Sequence, residues 1–178
     1  MIALIKGLVH LYFGDGKGKT TAAIGLGVRA CGRGKKILLV QFLKGDDSGE
    51  ILALKCNDAF KILKDKPIKK FIPYMSEEEK AKAYICQKRL FKSVAEEIHN
   101  KSFDLMILDE IVDVVNLEII SFGDLKDLLS NKPLNLEVVM TGHNPKDEFF
   151  ELCDYVTEIK KIKHPYDQGV QGRIGIEK

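Results

Sequence analysis

The stretch Phe13-Gly14-Asp15-Gly16-Lys17-Gly18-Lys19-Thr20-Thr21 has the residue types and spacing to hold a polyphosphate. The glycines let the backbone turn so that several N–H groups point at one anion, and a helix opening behind them adds the positive end of its dipole. Lys19 then reaches the terminal phosphates, and the Thr20 hydroxyl is placed to hold a magnesium ion. The glycine that opens the common phosphate-loop pattern would fall on Phe13, whereas Gly14 stands one place later, so the cradle is tighter than usual. The loop argues for a nucleoside triphosphate without naming the reaction. The alternative, a glycine-rich strand-to-helix turn with no ligand, is much the weaker reading, since Gly-Lys-Thr between a strand and a helix is specific.

A second candidate group is the acid pair Asp109-Glu110 at the end of Phe103-Asp104-Leu105-Met106-Ile107-Leu108. An apolar run ending in acids reads as a strand whose tip faces the phosphate loop, where either carboxylate can position magnesium or orient a reacting group. Acids that merely cap the next helix are the alternative; the loop upstream favours the magnesium role.

The elements that must position these groups follow from the pattern. Leu8-Val9-His10-Leu11-Tyr12 is a strand into the loop, and residues 20–31, rich in small side chains, suit a helix packed closely on a sheet and ended by Gly32 and Gly34. Ile37 to Leu43 is the continuous apolar run of a parallel strand covered on both faces. A short helix through Ile51, Leu52 and Leu54 and a strand at Phe60 to Leu63 follow, then a lysine-rich linker around Pro67. Ser76 and Glu79 form a capping box for a helix to about Asn100, with its buried face through Tyr84, Gln87, Leu90, Phe91, Val94 and Ile98. Ser121 and Asp124 start another helix, residues 136–142 are a strand, Asn144-Pro145 reads as a helix start, and Tyr155 to Ile162 as a last strand. Strands alternating with helices predict an α/β fold of the P-loop NTPase-like, RecA-like kind, a mostly parallel sheet with helices on both faces.

At 178 residues the chain is expected to form a single domain, residues 1–178. A formal charge of +2 leaves no basic footprint for nucleic acid. Cys31, Cys56, Cys86 and Cys153 are scattered, with no metal or redox spacing, and read as reduced core thiols. No apolar run approaches the ~20 residues of a membrane-spanning helix, and the N-terminal run is too short for a signal peptide, so the expected location is cytoplasmic.

The tail, residues 163–178, is polar and glycine-bearing, the composition of a segment that covers a ligand. With it in view the chain resembles the P-loop ATP:corrinoid adenosyltransferases, through Gly14 to Ala23, Val40-Gln41-Phe42-Leu43-Lys44-Gly45, Leu108-Asp109-Glu110, and Lys163-His164-Pro165-Tyr166-Asp167-Gln168-Gly169-Val170 with Gly175-Ile176. The shortened loop is a feature of that family, and the tail is its more diagnostic part. The resemblance implies that a cobalt(I) corrinoid, cob(I)alamin or a relative, attacks the ribose 5′ carbon of ATP and that the whole triphosphate leaves. It implies Lys19 and Glu110 as catalytic residues and Thr20 and Glu110 as ligands of Mg²⁺, with Asp109 in support. Gly14, Asp15, Gly16, Lys17, Gly18, Lys19, Thr20, Thr21, Phe71, His164 and Asp167 would contact the substrates. Phe71 would pack on the corrin; the tryptophan that often follows is absent, because the chain has none, and Pro73 or Tyr74 lies nearby. Tyr74 is read evenly as a corrin contact or a core residue. His143 stands where an arginine is common, and His164 is expected to fix its loop by a hydrogen bond. A homodimer and an external electron donor for cobalt are implied too. The rival readings are a P-loop kinase or ATPase acting at phosphorus, and a nucleotide-dependent corrinoid-binding module without turnover.

Overall fold

The structure is a computed structural model that describes residues 6–45, 48–65, 72–100 and 103–177. The apolar runs become β1 (Val9–Phe13), β2 (Ile37–Gln41), β3 (Phe60–Lys64), β4 (Leu105–Asp109), β5 (Glu137–Gly142) and β6 (Tyr155–Glu158). They form one six-stranded sheet in the order β3-β2-β4-β5-β1-β6, and every pairing is parallel. β2 and β4 are buried at every position, as strands covered on both faces must be.

The helices are α1 (Lys19–Cys31), α2 (Gly49–Leu54), α3 (Glu77–Asn100), α4 (Ile111–Asn116), α5 (Phe122–Ser130) and α6 (Glu148–Glu151). Alternation along the strands divides the core. Ile37, Leu39, Leu105, Ile107 and Val139 pack against Ala23 and Ile24 of α1 and Ile51 and Leu54 of α2. Leu38, Val40, Met106, Leu108, Val138 and Met140 face the other way, onto Leu90, Val94 and Ile98 of α3 and the apolar sides of α4 and α5. Both capping boxes form: Ser76 with Glu79, and Ser121 with Asp124. Among the described residues, no helix is long and apolar enough to cross a membrane.

Three local expectations are corrected. Asn144-Pro145 does not start a helix. Asn144 has a φ of 46°, left-handed where an N-cap is extended, and its carbonyl and that of His143 accept hydrogen bonds from the Asn116 amide; α6 begins only at Glu148. The last strand stops at Glu158 and does not reach Ile162, because the Ile159 carbonyl turns to accept the N–H of Gly16 at 2.8 Å. The cysteines are free but are not fully buried core residues: Cys56 is exposed and the other three are partly covered. Burial pushes the Cys153 thiol up to about 12.

Candidate active site

Parallel pairing brings the C-terminal ends of β1, β2, β4 and β5 to one edge of the sheet, and the loop Gly14–Gly18 leaves β1 there. Gly14 and Gly18 have φ of 116° and 117°, conformations open to glycine and strained for other residues. At Gly14 space also decides, since a Cβ would lie 2.5 Å from the Ile159 carbonyl oxygen. Gly18 ends the loop, and α1 starts directly at Lys19. Lys19 Nζ donates to the Gly16 carbonyl at 2.9 Å, folded back over its own loop. Burial lowers its pKa, while the nearby carboxylates of Asp113, Glu110 and Asp15 act in the opposite direction.

Beneath the loop lies a buried polar row. Gln41 pairs in register with Asp109 across β2 and β4, and Thr141 flanks Asp109 from β5. These three are 2%, 0% and 1% exposed, in a core that is otherwise almost wholly apolar. Asp109 Oδ1 accepts from Thr20 Oγ1 at 2.8 Å and from Thr141 Oγ1 at 2.7 Å. Gln41 Nε2 makes a long contact of 3.5 Å to Oδ2. The Thr141 hydroxyl also accepts the N–H of Glu110 at 2.8 Å, which steadies Glu110 at a φ of 65° as the chain turns into α4.

Glu110 faces Lys44, whose Nζ lies 2.7 Å from Glu110 Oε1 and 3.7 Å from Asp109 Oδ2. Burial raises the Glu110 pKa and Lys44 works against that rise. For Lys44 the largest single influence is burial, which lowers its pKa, but the pull of Asp109 and Glu110 together prevails and leaves it raised.

A cavity of about 1100 Å³ joins these groups to the tail. Gly16 to Thr21 and Glu110 line one side of it, Lys44 and Ser48 another, and His164, Tyr166 and Ile176 close it from the tail. Lys17 reaches Glu177 at 3.1 Å, and Glu177 is also held by Arg173 at 2.8 Å, which keeps its carboxyl far below the usual range. His164 Nδ1 accepts the N–H of Tyr166 at 3.1 Å, the loop-fixing bond expected of it.

The sequence candidates therefore divide. Gly16, Lys17, Gly18, Lys19, Thr20, Thr21, Glu110 and His164 meet at the cavity. Gly14, Asp15 and Asp167 do not line it; Asp15 accepts the N–H of Lys161 at 2.9 Å and Asp167 pairs with the Lys161 ammonium at 3.2 Å, so both brace the loop against the start of the tail. Phe71 lies outside the described residues. Tyr74 is 80% exposed, which removes the core alternative for it. His143 also lines the cavity, its ring 3.2 Å from Asp113 Oδ1. Thr20 bonds Asp109, not Glu110, so the supporting acid is the one nearer the hydroxyl.

Residue type and spacing alone assign no role to Lys44, Thr141 or Gln41. A signal for Gln41 was present: it ends an apolar strand, as Asp109 ends another, and polar groups at such tips face the ligand edge. Hydroxyl and carboxylate oxygens without any soft donor suit magnesium, which keeps waters and substrate phosphates for its remaining positions. Gln41 Oε1, buried and without a hydrogen-bond partner among the described residues, is an acceptor fit for such a water. Among the described residues no cluster of three or more His, Cys, Asp or Glu forms a self-sufficient metal cage.

Comparison with known proteins bears on the same stretches. A family model described as ATP:corrinoid adenosyltransferase BtuR/CobO/CobP matches residues 5–177. The chain is 29% identical over 174 residues to the corrinoid adenosyltransferase of Escherichia coli strain K12, covering 97% of this chain and 86% of that protein. It is 28% identical over 174 residues to corrinoid adenosyltransferase CobA of Salmonella typhimurium, with the same coverage. A corrinoid adenosyltransferase of Pseudomonas aeruginosa is 26% identical over 179 residues, covering 97% of this chain and 84% of that one.

Proposed function

This chain belongs to the ATP:corrinoid adenosyltransferase family BtuR/CobO/CobP, and from that premise we propose that it transfers the 5′-deoxyadenosyl group of ATP to a cobalt(I) corrinoid and releases triphosphate. The observation that supports this best is that the phosphate loop, the tip of β4 and the tail meet at one cavity. One substrate's phosphates and a second, bulky substrate can be held against each other there.

The bond that forms joins cobalt to the ribose 5′ carbon; the bond that breaks joins that carbon to the triphosphate oxygen, which takes the electron pair. Cobalt(I) is the nucleophile, so no general base is needed. The task left to the protein is to hold the departing charge. Backbone N–H groups of Lys17 to Thr20 and the Lys19 ammonium, released from the Gly16 carbonyl, would face the phosphates. Thr20 and Glu110 would hold Mg²⁺, with Asp109 orienting the Thr20 hydroxyl. The ion would supply Lewis-acid stabilisation of the leaving triphosphate. Lys17 adds positive charge once Glu177 moves from it.

On the acceptor side, the tail of residues 163–177 would cover the corrinoid as part of the same single domain, with Tyr166 and Ile176 as apolar contacts. Phe71 belongs to the corrin side by family resemblance. An external reductant supplies cobalt(I), and the enzyme works as a cytoplasmic homodimer; sedimentation equilibrium checks the dimer.

The test is anaerobic incubation of the protein with chemically reduced cobalamin and MgATP, following the corrinoid spectrum and the phosphate product. Light-sensitive adenosylcobalamin with equimolar triphosphate is expected. ADP or orthophosphate without a cobalt–carbon bond would make the protein a kinase or ATPase, and tight corrinoid binding without turnover would make it a carrier.

A further inference from the structure

Lys44 is aimed at the acid pair by an arrangement that local sequence does not require. The chain leaves β2 beside Asp109, with the Phe42 N–H donating to the Asp109 carbonyl at 3.1 Å. Leu43 then takes a φ of 52°, a left-handed conformation unfavourable for a residue with a side chain. Its N–H donates at 3.0 Å to Oε1 of Gln87, which is only 2% exposed and comes from α3 on the face of the sheet opposite α1. A buried amide thus holds a strained turn, and the turn sends Lys44 back over the tip of β4. Its ammonium reaches Glu110 at 2.7 Å and Asp109 at 3.7 Å, within the cavity that Lys19 and Thr20 also line.

Magnesium held by Glu110 would compete for the carboxylate whose Oε1 the Lys44 ammonium now pairs. We infer that Lys44 is an internal counter-ion standing in for the metal: without nucleotide it neutralises Glu110 and Asp109, and when the magnesium triphosphate arrives its ammonium leaves Glu110 and turns onto the triphosphate. This rests on the magnesium role proposed for Glu110. Two carboxylates at the end of a buried row repel each other unless a cation lies between them, which is a reason for Lys44 before substrate binds. A lysine suits the exchange better than an arginine, because its compact ammonium sits on a flexible stem and can rotate from one anion to another. Gln87 acts on this device only through the Leu43 turn and is a positioning residue.

Such a stand-in affects two ligands in opposite directions, which a merely structural lysine would not do. The probes are Mn²⁺, titrated on the nucleotide-free protein by the electron-spin-resonance signal of the free ion, and ATP, titrated calorimetrically in EDTA and again with saturating Mn²⁺. In Lys44→Met, Mn²⁺ binding to the nucleotide-free protein is expected to tighten about tenfold, and metal-free ATP to bind about tenfold more weakly. Lys44→Arg should restore the weak Mn²⁺ binding of the parent. If the methionine variant does not fold by circular dichroism, Lys44→Gln takes its place with the same expected directions. Unchanged or weaker Mn²⁺ binding in Lys44→Met, or in Lys44→Gln in its place, with Mn²⁺ still tightening ATP binding to the parent, overturns the stand-in alone. Failure of Mn²⁺ to tighten ATP binding to the parent overturns the metal role of Glu110 and the stand-in with it.

Discussion

At the glycine-loop end of the cavity, Asp109 is fully buried and takes hydrogen bonds from two hydroxyls, those of Thr20 and Thr141. At the tail end, Glu177 is held by Lys17 and Arg173 where the lysine and arginine remain open to water. The first region is anchored in three adjacent strands, so its atoms cannot shift without disturbing the sheet. The second rests on ion pairs of a kind that are worth little and are screened by salt. The difference suits a reaction in which one partner, the triphosphate, develops charge at a known place, while the other is a broad ring to be admitted and covered. Preorganisation is most useful where charge appears, because donors already in place need no reorganisation at that moment.

The contrast can be broken by substitutions of graded effect. Lys19→Ala should lower the rate of adenosylcobalamin formation about a thousandfold while leaving thermal unfolding close to that of the parent; normal turnover would remove the loop from the chemistry. Glu110→Gln should raise the Mg²⁺ concentration for half-maximal rate by about tenfold or more, and an unchanged titration would pass the ligand role to Asp109. Thr141→Val keeps the shape but strips a donor from Asp109 and an acceptor from the Glu110 N–H. It should cost about 1–3 kcal/mol in denaturant unfolding, and an unmoved midpoint would show that this hydroxyl does not anchor the glycine-loop end. Glu177→Gln should change the KM for ATP by less than about threefold, with the change fading in high salt. A larger loss there than at Thr141 would reverse the comparison between the two ends.

Much of this arrangement was legible along the chain, because its strongest signals are local. The apolar runs of β2 and β4 identify strands covered on both faces, and Ser76 with Glu79 and Ser121 with Asp124 mark helix starts through contacts made within one turn. The tight turn of Gly14 to Gly18 into α1 was legible because it needs glycine at positive φ and a helix start directly behind it. Asn144-Pro145 misled for the converse reason: the turn there is held by Asn116, on another element. The shortened last strand is similar, since Ile159 was claimed by Gly16 of the loop.

The site shows the same division. Lys19, Thr20, Asp109 and Glu110 were visible by residue type and position, but the pairing of Thr20 with Asp109 and of Glu110 with Lys44 was not. Nor was the outward role of Asp15 and Asp167, which meet through Lys161. The chain by itself determined the α/β alternation, the cradle, the acids that follow a strand and the tail, all written in short-range periodicity and backbone need. Only the tertiary structure decided which carboxylate faces which cation, because strand order sets β2 and β5 on either side of β4 and so brings Gln41, Thr141 and Lys44 to Asp109 and Glu110 from distant parts of the sequence.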